Sequence, residues 1–193
     1  MGRPCGFDQD EALERALGVF WRLGYEGASL DDLCQAMGIG RQSLYNAYGD
    51  KRTLFLRCLR RYTERNEVAL REHLGQVRPV QRAFAALFEQ ALGQPDERKR
   101  MGCFSINTGM ELAPRDVEVG DLIARGQRML EDVFTEALEA GAGRAELAPG
   151  SDCRALGRFL VGTLLGVTVL LKSDPRSPAP RAMVDVALQA LAR

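Results

Sequence analysis

Apolar residues recur along the chain at spacings of three and four, whereas clean period-two alternation is scarce. The first run is that of an amphipathic helix. Asp8 occupies a cap position with Glu11 three residues on, and Phe7 and Ala12 fall at staple positions. Leu13, Ala16, Leu17, Phe20, Trp21 and Gly24 then follow at i, i+3, i+4, i+7, i+8 and i+11, and Gly24 is expected to end the helix. A second helix is expected from a Ser29 cap, with Asp32 closing a capping box, an apolar face of Leu30, Leu33, Cys34 and Met37, and Gly38 as its stop. A short third helix runs from Arg41 to about Tyr48 and is stopped by Gly49. Asp50 then caps a long fourth helix carrying Leu54, Phe55, Cys58, Leu59 and Tyr62 and reaching about Leu74.

Glycine and proline punctuate the remainder into further helices. One covers Pro79 to about Leu92, and a break at Gly93-Gln94-Pro95-Asp96 follows. The next spans about Arg100 to Leu112 and ends at Ala113-Pro114. A long one runs from Val117 to Ala140, another from a Ser151 cap through Leu171, and a last one from about Arg181 to Ala192. No internal repeat is evident, and the fold class is all-α.

Composition excludes several classes of function. With 193 residues, 46% hydrophobic and 27% charged, the chain can bury a sizeable core, and global disorder is ruled out. The longest uncharged apolar stretch, Phe159 to Leu171, is thirteen residues, short of the roughly 20 needed to span a membrane. The first residues carry no apolar signal region. A buried helix, no membrane partner and a cytoplasmic location are therefore expected. Five widely spaced cysteines without a C-x-x-C pair argue against a disulfide framework or a zinc site. A single histidine, His73, leaves little from which to build a catalytic triad or a metal-binding helix. No phosphate loop is present either, so neither an enzyme nor a cofactor is expected.

The 26 basic and 26 acidic residues cancel overall but are unevenly placed. Residues 1–40 hold three basic and seven acidic side chains. Residues 41–62 hold six basic ones (Arg41, Lys51, Arg52, Arg57, Arg60, Arg61) against Asp50 alone. That surplus suits a phosphate-facing patch, and equally well a solvated helix face.

The pair of short helices from Ser29 to Tyr48 has the makings of a helix-turn-helix. Such a unit needs a small residue where its helices cross, a glycine four residues later for the turn, and an apolar residue just beyond. Cys34, Gly38 and Ile39 meet these demands. The second helix then offers Arg41, Gln42, Ser43 and Asn46 on one side, with Leu44 and Tyr48 inward.

The stretch from Asp10 to Leu59 resembles the N-terminal domain of the TetR family of bacterial transcriptional regulators. The resemblance rests on "VFWRLGYEGASLDDL", on "AMGIGRQSLYNAYGDK" and on Leu54-Phe55. Within these, the Gly24-Tyr25 junction, the Ser29 cap, Leu44-Tyr45, the aromatic Tyr48 and Lys51 carry the match. Tyr48 stands where phenylalanine is commoner. Gly40 replaces the usual Ser or Thr cap, which weakens the start of the recognition helix.

The resemblance implies an N-terminal three-helix DNA-binding domain at 1–50, a connecting fourth helix at 51–74, and a C-terminal helical ligand-binding and dimerisation domain at 75–193. It implies double-stranded DNA as partner. Arg41, Gln42 and Asn46 would reach base edges, since Arg suits guanine while Gln and Asn suit adenine. Ser29, Ser43, Tyr45 and Lys51 would touch phosphate. Arg3 could reach the DNA backbone or a minor groove. A pseudo-palindromic operator read by a homodimer follows from the short reach of each unit. The last two helices are the expected dimer surface, through stripes of Val161, Leu164, Leu165, Thr168 and Leu171 and of Met183, Val184, Ala187, Leu188 and Leu191, with Gly157, Gly162 and Gly166 permitting close approach. The function implied is that of a repressor released by a small-molecule effector of unknown identity.

The segment "RMGCFSINTGMELAP" is the most unusual in the C-terminal half. As part of one helix, Cys103, Ile106, Asn107, Met110 and Glu111 would share a face, and two polar residues there need partners or a ligand. An effector pocket of Phe84, Phe88, Cys103, Asn107, Met110, Glu111, Met129 and Phe134 is one expectation; the other is that Glu111 caps a helix or pairs with an arginine such as Arg115 or Arg128. Cys103, beside Lys99 and Arg100 and near a helix start, also suits a thiol-based redox or electrophile sensor, because both features favour the thiolate. Copper(I) held by Met101, Cys103 and Met110 has the right ligand softness but no spacing that brings them together. The remaining alternative is a helical small-molecule-binding protein whose helix-turn-helix is only structural.

Overall fold

A computed structural model of the chain describes residues 7–191. The positions of Arg3 and Cys5 lie outside them. Ten helices and no strand occur among the described residues: α1 (Gln9–Gly27), α2 (Leu30–Met37), α3 (Arg41–Tyr48), α4 (Lys51–Gln76), α5 (Val80–Leu92), α6 (Asp96–Met101), α7 (Phe104–Leu112), α8 (Val117–Gly143), α9 (Cys153–Ser173) and α10 (Ala179–Gln189). The all-α expectation holds.

The helices form two compact units. Of the described residues, 7–64 and 104–123 make up the first, and 65–103 and 124–191 the second. The contiguous division expected from the sequence, 1–50, a connecting helix at 51–74 and 75–193, differs from this grouping at 104–123 and in the fourth helix, whose residues up to 64 fall in the first unit and those from 65 in the second. Residues 104–123 join the first unit because Phe104 is buried in its aromatic core. The Phe104 ring centroid lies 5.8 Å from that of Phe55, 5.6 Å from Tyr62 and 6.0 Å from Trp21. Phe20 meets Phe55 edge-on at 5.0 Å, and Trp21 meets Tyr62 in the same way at 5.0 Å. Edge-to-face aromatic pairs of this kind add about 0.5–1.5 kcal/mol each to the burial term.

The second unit closes over Phe84, Phe88, Phe134, Leu138, Leu160, Val167, Val184 and Ala187, all fully buried. The apolar length of α9 serves this core, with α5 and α10 packed against it. Gly157 of α9 lets α8 come close at Thr135. The cap of α9 is Asp152, whose side chain accepts the N–H of Ala155 at 2.9 Å, rather than Ser151, whose hydroxyl turns to the carbonyl of Ala148.

The helix expected from Arg100 to Leu112 is two helices. Gly102 (φ 66°, ψ −156°) breaks the chain between α6 and α7. The buried side of α7 is therefore Phe104, Thr108 and Leu112, not the stripe through Cys103, Ile106, Asn107 and Met110. Met110 is 80% exposed.

Candidate nucleic-acid interface

Within the first unit, α2 and α3 form the two arms of a tight helical turn. Ser29 starts α2 with a full capping box: its hydroxyl accepts the N–H of Asp32 at 3.1 Å, and the Asp32 carboxylate accepts the N–H of Ser29 at 3.0 Å. The turn itself depends on Gly38, whose φ of 69° is left-handed backbone that only glycine adopts without cost. Its N–H and that of Ile39 close back onto the last carbonyls of α2, at 3.3 Å to Gln35 and 3.2 Å to Cys34. Leu33, Leu44, Leu54 and Leu59 are fully buried beneath the two arms, each stabilising the unit by roughly 1.5–3 kcal/mol.

Helix α3 has no side-chain cap at Gly40, the weak start its sequence implies. Its far end is held instead. Tyr48 is buried, and its hydroxyl donates to the Gln9 carbonyl at 2.9 Å, a bond that phenylalanine would lack. Arg57 of α4 donates to the carbonyl of Ala47 at 3.2 Å and lies 5.5 Å from the Tyr48 ring, placing a cation at the negative end of α3.

With Leu44 and Tyr48 turned inward, Arg41, Gln42, Tyr45 and Asn46 are left exposed. Positions 41, 42, 45 and 46 are one and four apart, so they form a single outward face about one turn long. Gln42 donates to Asn46 at 3.0 Å along that face. Ser43 is half-buried at its edge. Lys51 stands at the start of α4 with its ammonium 4.6 Å above the Tyr25 ring. Ser29 is exposed, but its one hydroxyl proton goes to Asp32 at 2.6 Å, so its side chain holds the cap rather than offering a donor to phosphate.

The basic surplus of residues 41–62 is largely internal to the unit. Arg61 pairs with Asp10 and Glu14, Arg52 with Asp116 and Glu118, and Arg60 with Glu118. Arg41 pairs with Asp31. The Arg52 guanidinium holds the Asp116 carboxyl below the usual carboxylate range, with the N–H of Val119 assisting. With four of the six cations paired, the surplus forms no broad basic patch among the described residues, and the exposed polar surface narrows to the face of α3 and the start of α4. Asp31, the partner of Arg41, has no signal in the sequence, because the two residues lie ten positions apart across the turn.

The residues expected around an effector are distributed between the units. Phe84 and Phe134 meet edge-on at 5.0 Å in the second core, with Phe88 buried beside them and Met129 half-buried against the same cluster. Asn107, Met110 and Glu111 belong to the first unit, and Cys103 is the last residue of its segment in the second. Glu111 has internal partners: its carboxylate accepts the N–H of Tyr25 at 3.1 Å and of Glu26 at 3.0 Å. Among the described residues, no group of three or more His, Cys, Asp or Glu is placed to hold a metal. Cys34, Cys58, Cys103 and Cys153 form no disulfide, and burial pushes the thiols of Cys34, Cys58 and Cys153 up. A separate cavity of about 200 Å³ in the second unit lies between α4 and α8, lined by Arg71, Arg78, Glu136 and Arg144 over Leu74 and Val133.

Two sequence families match the chain: "Bacterial regulatory proteins, tetR family" over residues 12–58, and "Tetracyclin repressor-like, C-terminal domain" over residues 79–186. The uncharacterized HTH-type transcriptional regulator YezE of Bacillus subtilis (strain 168) is 37% identical over 195 residues, which cover 99% of this chain and 100% of YezE. The HTH-type transcriptional repressor ComR of Escherichia coli (strain K12) is 31% identical over 173 residues, covering 87% of this chain and 81% of ComR. Among solved structures, a cysteine mutant of the TetR family transcriptional regulator CifR, complexed with a 26 bp double-strand operator DNA, superposes with a TM-score of 0.83 at 33% identity, covering 98% of this chain and all of that one.

Proposed function

The chain belongs to the tetR family of bacterial regulatory proteins, which are DNA-binding transcriptional regulators, and on that premise we propose that it is a repressor that reads a pseudo-palindromic operator as a homodimer and is released by a small-molecule effector. The observation that carries the DNA-reading part is the outward face of α3, where Arg41, Gln42, Tyr45 and Asn46 are exposed together on a helix whose opposite side is fully buried. A helix of eight residues with four polar or aromatic side chains on one face fits a major groove about 12 Å wide. Arg41, Gln42 and Asn46 are assigned to base edges, and Ser43, Tyr45 and Lys51 to phosphate. Ser29 contributes through the cap that sets the start of α2.

Of the stripes expected on the last two helices, Val161, Leu171, Val184, Ala187 and Leu191 are buried in the core of the single chain, so the dimer reading is supported instead by a different seam of small and apolar residues left open on α9. Phe159, Gly162 and Val169 follow at i, i+3 and i+10, with Phe159 and Val169 nearly half exposed and nothing within 4 Å of where a Cβ at Gly162 would stand, while Gly166 is covered by Met183 of α10; Val186 of α10 is 61% exposed. The effector is assigned to the apolar interior of the second unit around Phe84, Phe88, Met129 and Phe134. Neither Met110, which faces solvent, nor Glu111, which holds backbone N–H groups, is part of that assignment. A regulator of this kind acts in the bacterial cytoplasm, and the proposal includes no catalysis.

A titration by fluorescence anisotropy with DNA from upstream of its own gene tests the reading. Expected is nanomolar binding to one segment that weakens steeply with added salt, on the order of a thousandfold for six or more phosphate contacts between about 50 and 200 mM. Absence of any preferred segment, both there and in a selection from random DNA, would overturn it. Cys103 supports a second reading of the release step, since it immediately precedes α7 and follows the cationic turn of Lys99 and Arg100. Loss of binding on oxidation that is reversed by reductant and missing in Cys103→Ser would favour it.

A further inference from the structure

Arg41, the first residue of α3, is gripped by Asp31 of α2. Its Nε and Nη2 donate to Asp31 Oδ1 at 3.1 and 2.8 Å, and Nη2 also donates to Oδ2 at 2.9 Å. The contacts use one flank of the guanidinium. Nη1, with two N–H groups, makes no contact with the carboxylate.

This pair has little to do with holding the fold. Its side chains are 60% and 76% exposed, and exposed ion pairs contribute only about 0–1 kcal/mol. It also places a carboxylate on the surface meant for a polyanion, where that charge opposes binding. The capping of α2 does not require it, because Ser29 and Asp32 form the complete box without Asp31. What the grip does achieve is orientation. A long, flexible side chain is fixed with its remaining donors turned away from Asp31, and the nearby carboxylate disfavours any phosphate as an alternative partner for that guanidinium. The base whose major-groove edge offers two acceptors and no donor, N7 and O6, is guanine.

We propose that Asp31 and Arg41 act as one guanine-reading unit, in which Arg41 touches the base and Asp31 is the positioning residue that makes the choice specific. The inference rests on the DNA-reading function proposed above. It predicts one guanine in each half-site whose recognition depends on both residues. It also predicts that Asp31 lowers binding to DNA in general while raising discrimination.

The test is a random-site selection with the full-length protein, run in parallel for wild type, Asp31→Asn, Arg41→Ala and Gln42→Ala. Anisotropy then follows on the wild-type consensus and on the same duplex with adenine replacing that guanine. Thermal melts confirm that each variant is folded. For wild type, the guanine should be preferred roughly five- to 150-fold, the range of one good base contact. Arg41→Ala and Asp31→Asn should each flatten preference at that same position and leave the other positions intact, with Asp31→Asn binding non-specific DNA as well as wild type or better. Gln42→Ala should change a different position. A change in one base preference is not something a merely structural loss would produce. The proposal is overturned if Asp31→Asn keeps the guanine preference that Arg41→Ala loses, or if Arg41→Ala changes no guanine position. Failure of wild type to select any sequence would instead overturn the DNA-reading function itself.

Discussion

The carboxylate of Glu111 accepts the backbone N–H of Tyr25 at 3.1 Å, joining two residues separated by 86 positions in the sequence. The N–H of Glu26 completes the bidentate arrangement at 3.0 Å. These N–H groups follow Gly24, where φ of 73° and ψ of 179° interrupt α1. The interruption restarts a short helical turn, and Glu111 serves as its N-terminal acceptor from outside the local sequence.

Removing this acceptor leaves two backbone donors without their partner. Glu111→Ala should destabilise the first unit by about 1–3 kcal/mol, while Glu111→Gln, which keeps one accepting oxygen, should lose less. Trp21, the one tryptophan of the chain, packs in this unit against Tyr62, so its fluorescence during urea unfolding reads the effect. Equal stability of wild type and Glu111→Ala would show that the contact contributes nothing.

Gly24 is constrained twice. An alanine there would have to adopt a positive φ with extended ψ, a region essentially confined to glycine and costing about 1–3 kcal/mol, and its Cβ would lie 2.8 Å from Glu111 Oε2. Gly24→Ala should therefore destabilise, and part of the loss should vanish when it is combined with Glu111→Ala. A double-mutant cycle measures this coupling. Strict additivity would mean that strain in the backbone, and not the collision, sets the cost.

Tyr48→Phe removes the hydroxyl that donates to the Gln9 carbonyl and leaves the ring in place. The expected loss is about 0.5–1.5 kcal/mol by chemical denaturation, with the α3 surface unchanged and DNA binding close to wild type. A variant as stable as wild type would make the hydroxyl incidental.

Acid should weaken the first unit. Asp32 is held below the usual carboxylate range by the Ser29 side chain and backbone, Asp50 by the N–H and side chain of Thr53, and Asp116 by Arg52. A carboxyl whose folded pKa lies below its unfolded value stabilises the fold above the unfolded value, near about 4, and loses that contribution as pH falls through the folded one. Urea midpoints followed through Trp21 should therefore change little above about pH 5 and decline progressively below about pH 4. Asp32→Asn, Asp50→Asn and Asp116→Asn should each flatten the decline. A midpoint rising towards low pH would contradict the sign.

Phe159→Asp and Val169→Asp place charge on the open seam of α9, where both residues are nearly half exposed in the single chain. A charge there costs little in one chain but disrupts an apolar interface. Light scattering should report a dimer for wild type and a monomer for the variants, with unchanged helix content and weakened operator binding. Variants that remain dimeric would place the partner surface elsewhere.

The features legible in the sequence are those written in neighbouring residues. Asp8, Ser29 with Asp32, Gly38, Gly49 and Asp50 mark helix ends through bonds that span two to four positions, and all stand where the pattern places them. The outward face of α3 follows from the same arithmetic. The segment around Cys103 was not legible in this way. Helical spacing groups Cys103 with Met110, but the face of α7 that is buried is decided by Trp21, Phe55 and Tyr62 of α1 and α4, and by a left-handed Gly102 that splits the run. Likewise, the six cations of residues 41–62 read as a patch until Asp10, Glu14, Asp31, Asp116 and Glu118 come beside four of them in space.

The insertion of Phe104 and Glu111 into the first unit bears on how such regulators can recombine. The part that carries the recognition face is not one continuous stretch of gene, since residues 104–123 complete it after an excursion through the other unit. A single crossover with a relative anywhere between 65 and 103 would set α7 of one parent against α1 and α4 of the other. Exchange of segments between relatives therefore favours two-point swaps that carry 104–123 along with the stretch up to 64, or parents whose residues at 21, 24, 55, 104 and 111 already agree.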